Sequence, residues 1–172
     1  VVFSGEAFTQ CPLTMDHQIV TDFFFCFQVG MLADGTAIGM GLATAVNRLK
    51  DSKAKSKIII LLTDGVNNAG YIDPNTAADI AKEMGVKVYT IAVGTMGQAL
   101  SPVNRRSDGQ YMYAMAQVEI DTELLQKIAE MTDGKYFRAI DRQSLENIYT
   151  EIDRLEKTEI EIDIFKRYKD EY

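Results

Sequence analysis

The sequence predicts an α/β fold of three layers, α/β/α, built on a doubly wound, mostly parallel sheet. Three observations carry that prediction. Ile58-Ile59-Ile60-Leu61-Leu62 is a continuous apolar run, the pattern of a parallel strand covered on both faces. Val86 to Val93 is a second strand, less uniformly apolar. Between them, Asp73-Pro74 offers a capping carboxylate followed by proline at the first helical position, and Gly85 supplies a stop after about Met84. Strand, helix and strand in that order form a βαβ unit, which builds parallel sheet.

The other elements follow the same signals. Val1-Val2-Phe3-Ser4 reads as a buried strand already under way, so the chain is expected to be a truncated domain. Ile38, Leu42, Ala45, Val46 and Leu49 recur on one helical face. Gly39 and Gly41 in its first turn are expected to let that helix lie close to a sheet. Asp121 caps a helix through Ile128 and Met131 that Gly134 closes, and Lys135 to Arg138 form a short strand. Asp141 caps a further helix striped by Leu145, Ile148, Ile152 and Leu155. Residues 159–165 alternate glutamate or aspartate with isoleucine, which predicts a half-exposed edge strand. Residues 95–120 break the rhythm and are expected to be an inserted loop, with Asp108-Gly109 as a hairpin turn. The whole, 1–172, is expected to be one domain.

Composition narrows the function classes. With 47% hydrophobic and 25% charged residues the chain has the balance of a globular domain and argues against disorder. A formal net charge of -7 repels phosphate backbones, so nucleic acid is not an expected partner. Phe23 to Phe27 is the densest apolar cluster and falls far short of the roughly 18 residues that span a bilayer. Cys11, Cys26 and His17 offer three ligands where zinc takes about four, and their spacing leaves the redox compartment undecided.

Two short segments carry candidate chemistry. In Leu61-Leu62-Thr63-Asp64-Gly65 a carboxylate stands where a buried strand ends, the place where open α/β sheets bind ligands. It could equally serve a turn or cap a helix. In Asp34-Gly35-Thr36-Ala37-Ile38-Gly39, Thr36 either caps the following helix or presents its hydroxyl as a ligand. Two oxygen groups are too few to fix a hard cation, which takes about six to eight.

Taken together these segments resemble the metal loops of von Willebrand factor A domains. D-G-T-x-I-G at 34–39 and I-I-I-L-L-T-D-G at 58–65 look like the second and third loops. Val1 to Phe8, Pro12-Leu13-Thr14, Leu62 to Asn68 and Val93-Gly94-Thr95 are more narrowly similar to the bacterial aerotolerance (Bat) group. The resemblance covers essentially the whole chain. It implies a Rossmann-like sheet and a metal-ion-dependent adhesion site. There, two serines of a D-x-S-x-S motif, a threonine and an aspartate surround a divalent cation, and a partner's carboxylate completes its shell. Thr36 matches the threonine and Asp64 the aspartate. The implied ion is Mg²⁺, with Mn²⁺ or Ca²⁺ as alternatives, and the implied partner is a protein with an exposed Asp or Glu. No D-x-S-x-S occurs in the 172 residues, so the central first strand and much of the first metal loop are expected to be missing.

The resemblance further implies an interaction module in a membrane-associated aerotolerance complex rather than an enzyme. The intact protein would be tethered in the bacterial inner membrane with this domain on the periplasmic side, and the fragment itself would be soluble. The aromatic and basic residues from Phe165 to Tyr172 suit either a membrane interface or a solvated end. A nucleotide-binding enzyme is the main rival, but Thr44 stands at the third position of the only G-x-G start, Gly39-Met40-Gly41. A Ser-His-Asp hydrolase would have to use His17, and no G-x-S-x-G is present. An interaction domain that works without metal is the third alternative.

Overall fold

The computed structural model describes residues 1–26, 32–54, 56–94, 97–105, 110–118 and 120–170. The elements are β1 (Val2–Phe3), β2 (Ala7–Phe8), α1 (His17–Phe25), α2 (Ile38–Leu49), β3 (Lys57–Thr63), α3 (Pro74–Glu83), β4 (Val86–Val93), β5 (Gly97–Arg105), β6 (Tyr111–Val118), α4 (Thr122–Met131), β7 (Tyr136–Ala139) and α5 (Arg142–Asp170). The principal sheet runs β3-β4-β7, and both pairings are parallel. A residue of β4 alternates in direction with its neighbours, so the strand feeds two cores. Val86, Val88 and Ala92 join β3, α2, α3 and α4 in one cluster. Tyr89 and Ile91 join Phe137, Ala139 and Ile148 and Ile152 of α5 in the other. Helices therefore cover both faces, which is the three-layer α/β/α architecture.

The capping carboxylates act as their sequence positions require. Asp73, Asp121 and Asp141 accept hydrogen bonds from the backbone N–H groups of Thr76, Leu124 and Ser144 at 3.0, 3.0 and 2.7 Å. Those bonds satisfy donors that the first helical turn leaves open. The backbone N–H of Ser144 holds the Asp141 carboxyl below its ordinary value, and that of Thr76 does the same for Asp73.

Four features differ from the sequence reading. β1 is only two residues long and half-buried, and it pairs antiparallel with β2 rather than lying deep in a core. β3 is buried on one face only: Ile59 and Leu61 are covered, whereas Ile60 and Leu62 are 37% and 40% exposed. On that second face α5 packs over β4 and β7, with Ile58 of β3 against the same cluster. Ile60 and Leu62 instead open onto a cleft of about 790 Å³ shared with Phe3, Phe23 and Leu49.

Gly39 and Gly41 do bring α2 close to its neighbours, but to different ones. A methyl group on Gly41 would meet the Phe3 ring at 2.8 Å, and one on Gly39 would meet the Ile72 carbonyl oxygen at 2.0 Å. Only the first contact is with a strand.

The fourth difference is a correction. The alternating segment 159–165 is not an edge strand but the continuation of α5. Period-two alternation earns a strand only where a neighbouring strand can take its backbone hydrogen bonds. The helix satisfies those groups internally, and glutamate, lysine and arginine are good helix formers. Residues 97–105 and 111–118 pair as an antiparallel ribbon, with an irregularity between Pro102 and Asn104. The Asp108-Gly109 turn lies outside the described residues.

Candidate functional site

The site is built where β3 ends. Its turn is closed by the Thr63 hydroxyl, which accepts the Gly65 N–H at 3.3 Å. Asp64 therefore serves no turn: it is exposed, and among the described residues its carboxylate accepts no hydrogen bond. Thr36 is not a cap either. The residue before α2 is Ala37, and no side chain of its own caps the helix.

The loops that carry the two candidate ligands lie against each other. A methyl group on Gly65 would lie 2.9 Å from the Thr36 hydroxyl oxygen, so that hydroxyl rests against the residue next to Asp64. Thr36 and Asp64 also line the same cleft. An exposed carboxylate beside a half-buried hydroxyl offers two hard oxygen donors of the type that Mg²⁺ and Ca²⁺ take. Two donors leave most of an octahedral shell to water or other groups. Among the described residues no three His, Cys, Asp or Glu side chains cluster as a metal site.

Three residues that the motif reading left without a role frame this rim. The Ser4 hydroxyl donates to the Gly35 carbonyl at 3.0 Å, and the Ala37 N–H donates to the Ser4 carbonyl at 2.6 Å. Asn68 accepts the Thr36 N–H through Oδ1 at 2.8 Å, and Asn67 accepts the Ile38 N–H at 2.9 Å. In return the Asn68 N–H donates to the Thr36 carbonyl at 3.1 Å. One signal could have found them: a helix opening on Ala37 has no cap of its own and must borrow one. Gly35, at φ +127°, fits the close approach of Ala69 and Asn68, since φ > 0 is open to glycine at little cost.

His17 is exposed at the first position of α1, while Cys11 is half-buried, Cys26 exposed and both thiols free. No helix among the described residues is long and apolar enough to cross a membrane.

A parallel sheet covered by helices on both faces, with a carboxylate at the end of β3 and a hydroxyl in the loop before α2, defines a three-layer α/β/α domain. The von Willebrand factor type A domain model matches residues 1–151, and the chain belongs to that family. A Borreliella burgdorferi protein is 28% identical over 172 residues, covering all of this chain and 50% of that protein. The chain thus spans about half the length of that curated relative. Among solved structures, BatB from Bacteroides thetaiotaomicron is 28% identical, with a TM-score of 0.71 over 90% of this chain and 77% of that one. An aerotolerance-related membrane protein from Bacteroides fragilis is 26% identical, with a TM-score of 0.70 over 88% and 76%. Both likenesses agree with the Bat-group resemblance of the sequence.

Proposed function

We propose that this domain is a metal-assisted adhesion module that captures an acidic side chain of a protein partner. The observation that supports the reading is that the Thr36 hydroxyl rests against Gly65, the residue after Asp64, and that Thr36 and Asp64 line one cleft. Thr36 and Asp64 would supply two oxygens to Mg²⁺, with Mn²⁺ or Ca²⁺ as substitutes, and further oxygens would come from water and from groups outside this chain. With a single carboxylate from this chain, Asp64, the cation would keep much of its charge. It therefore attracts an Asp or Glu from a partner strongly in a partly desolvated cleft.

The same reading makes the module a binder rather than an enzyme. Its likeness to an aerotolerance-related membrane protein supports a place in a membrane-associated stress-response complex. In that setting the domain would sit on the periplasmic side of a bacterial inner membrane.

The test is Mn²⁺ titration of the ¹⁵N-labelled chain. Paramagnetic broadening should strike the Thr36 and Gly65 amides first and disappear in Asp64→Ala. Equal broadening at both amides in that variant would show that Asp64 is not a ligand. For a longer form of the protein, capture of a carboxylate-bearing partner should require the cation and be lost in the same variant.

A further inference from the structure

We infer that Asn67 and Asn68 are positioning residues, an uncharged clasp that holds the Thr36 loop against the Asp64 loop. The inference rests on the adhesion-site reading above and names what sets that site's geometry. Asn68 Oδ1 accepts the Thr36 N–H at 2.8 Å, and the N–H groups of Asn68 and Ala69 donate to the Thr36 carbonyl at 3.1 and 3.3 Å. Asn67 Oδ1 accepts the Ile38 N–H at 2.9 Å, filling the capping role that Ala37 cannot. A borrowed cap of this kind makes the first turn of α2 depend on the loop that follows β3. Gly70, at φ +85°, lies where a methyl group would be only 2.8 Å from the Ala37 side chain, so that loop runs close to the start of α2. Thr36 is thereby bonded on both its N–H and its carbonyl to the loop that carries Asp64, and its hydroxyl is left for a ligand.

Amide rather than carboxylate is the choice that matters. Aspartate would accept the same N–H groups and cap α2 as well. It would also add a second negative charge to the loop that carries Asp64, next to Thr36, neutralising the cation and repelling an incoming carboxylate. The asparagines give the geometry of a cap without its charge, so the clasp sets specificity for an acidic partner as well as position.

Amide hydrogen exchange and Mn²⁺ broadening on the chain as it stands test both halves. Asn68 is exposed, so Asn68→Leu removes an acceptor and little packing. The Thr36 amide should then exchange roughly tenfold faster, as expected for the loss of one net hydrogen bond, with Val88 and Ile91 unchanged. Mn²⁺ should still broaden Gly65 but broaden Thr36 less. Asn68→Asp keeps the acceptor, so protection at Thr36 should survive while Mn²⁺ binds several-fold tighter. Unchanged exchange at Thr36 in Asn68→Leu would overturn the clasp, as would Asn68→Asp behaving like Asn68→Leu. Should Mn²⁺ broaden neither loop of the unsubstituted chain, the adhesion-site reading fails, and an exchange effect would then make the asparagines a feature of the fold alone.

Discussion

Asp133 is the only described non-glycine residue with positive φ, at 56°, and it sits where α4 ends. The Gly134 N–H reaches the Ala129 carbonyl at 2.8 Å and the Asp133 N–H reaches Glu130 at 3.4 Å, the paired bonds of a Schellman cap. The left-handed position of that cap belongs to Asp133, although a sequence reading gives it to the neighbouring glycine. Gly134 is required for another reason: a methyl group there would lie 1.9 Å from the Val88 carbonyl oxygen. Asp133→Gly should therefore stabilise the fold by about 0.5–1 kcal/mol in urea unfolding, by relieving the left-handed strain. Gly134→Ala should destabilise it and shift β4. Gly85→Ala, at φ +64° with open space around it, should cost only about 1 kcal/mol of backbone strain. A larger loss at Gly85 than at Gly134 would contradict this division between dihedral and steric need.

At the scale of elements, α5 is tied to the sheet by a buried carboxylate as well as by its apolar stripe. Glu156 is 7% exposed. It accepts from the Tyr89 hydroxyl at 2.6 Å and the Ser56 hydroxyl at 3.2 Å, and pairs with Lys87 at 3.1 Å. Burial works to raise its pKa, but the bonds from Tyr89 and Lys87, the lysine's charge and the Ser56 hydroxyl together hold it below the ordinary 4.5. A carboxyl depressed in the folded state contributes stability that is fully present above the unfolded pKa. That stability is lost as pH falls through the folded one. The urea midpoint should therefore fall on acidification below about pH 4.5, and Glu156→Gln should flatten that acid limb. An equally steep limb in the variant would remove Glu156 as its source. The exposed ion pairs Arg142–Glu146 and Lys157–Asp153 should contribute little by comparison.

Across the whole molecule, β4 carries the load of two cores, and a substitution on either face should be felt cooperatively. Leu125 is fully buried under the sheet on the α4 side. Leu125→Ala should cost about 2–5 kcal/mol, read as a shift of the urea midpoint without a change in slope. Thr90, also fully buried, donates its hydroxyl to the Leu125 carbonyl at 2.9 Å. Thr90→Val should leave that carbonyl without the hydroxyl donor and cost about 1–3 kcal/mol, read as a fall in the same urea midpoint. An unchanged midpoint in Thr90→Val would show that the hydroxyl bond contributes nothing net to stability.

What the sequence determined by itself was local or periodic. The apolar run of β3, the Asp-Pro start of α3 and the aspartate caps of α4 and α5 depend on chemistry within a few residues, and each stands where the sequence puts it. Thr36 and Asp64 were legible as candidates because each lies in a loop next to an element, Thr36 just ahead of α2 and Asp64 just after β3. Tertiary structure alone decided the rest. Whether 159–165 became strand or helix turned on the availability of a neighbouring strand, since alternation specifies a surface only once there is an edge to pair with. Likewise the roles of Asn67 and Asn68 depended on a backbone N–H about thirty residues away in sequence (|i−j| of 32 for Thr36–Asn68). A hydrogen bond of that range leaves no period in the sequence, only a helix whose missing cap shows that something else must supply it.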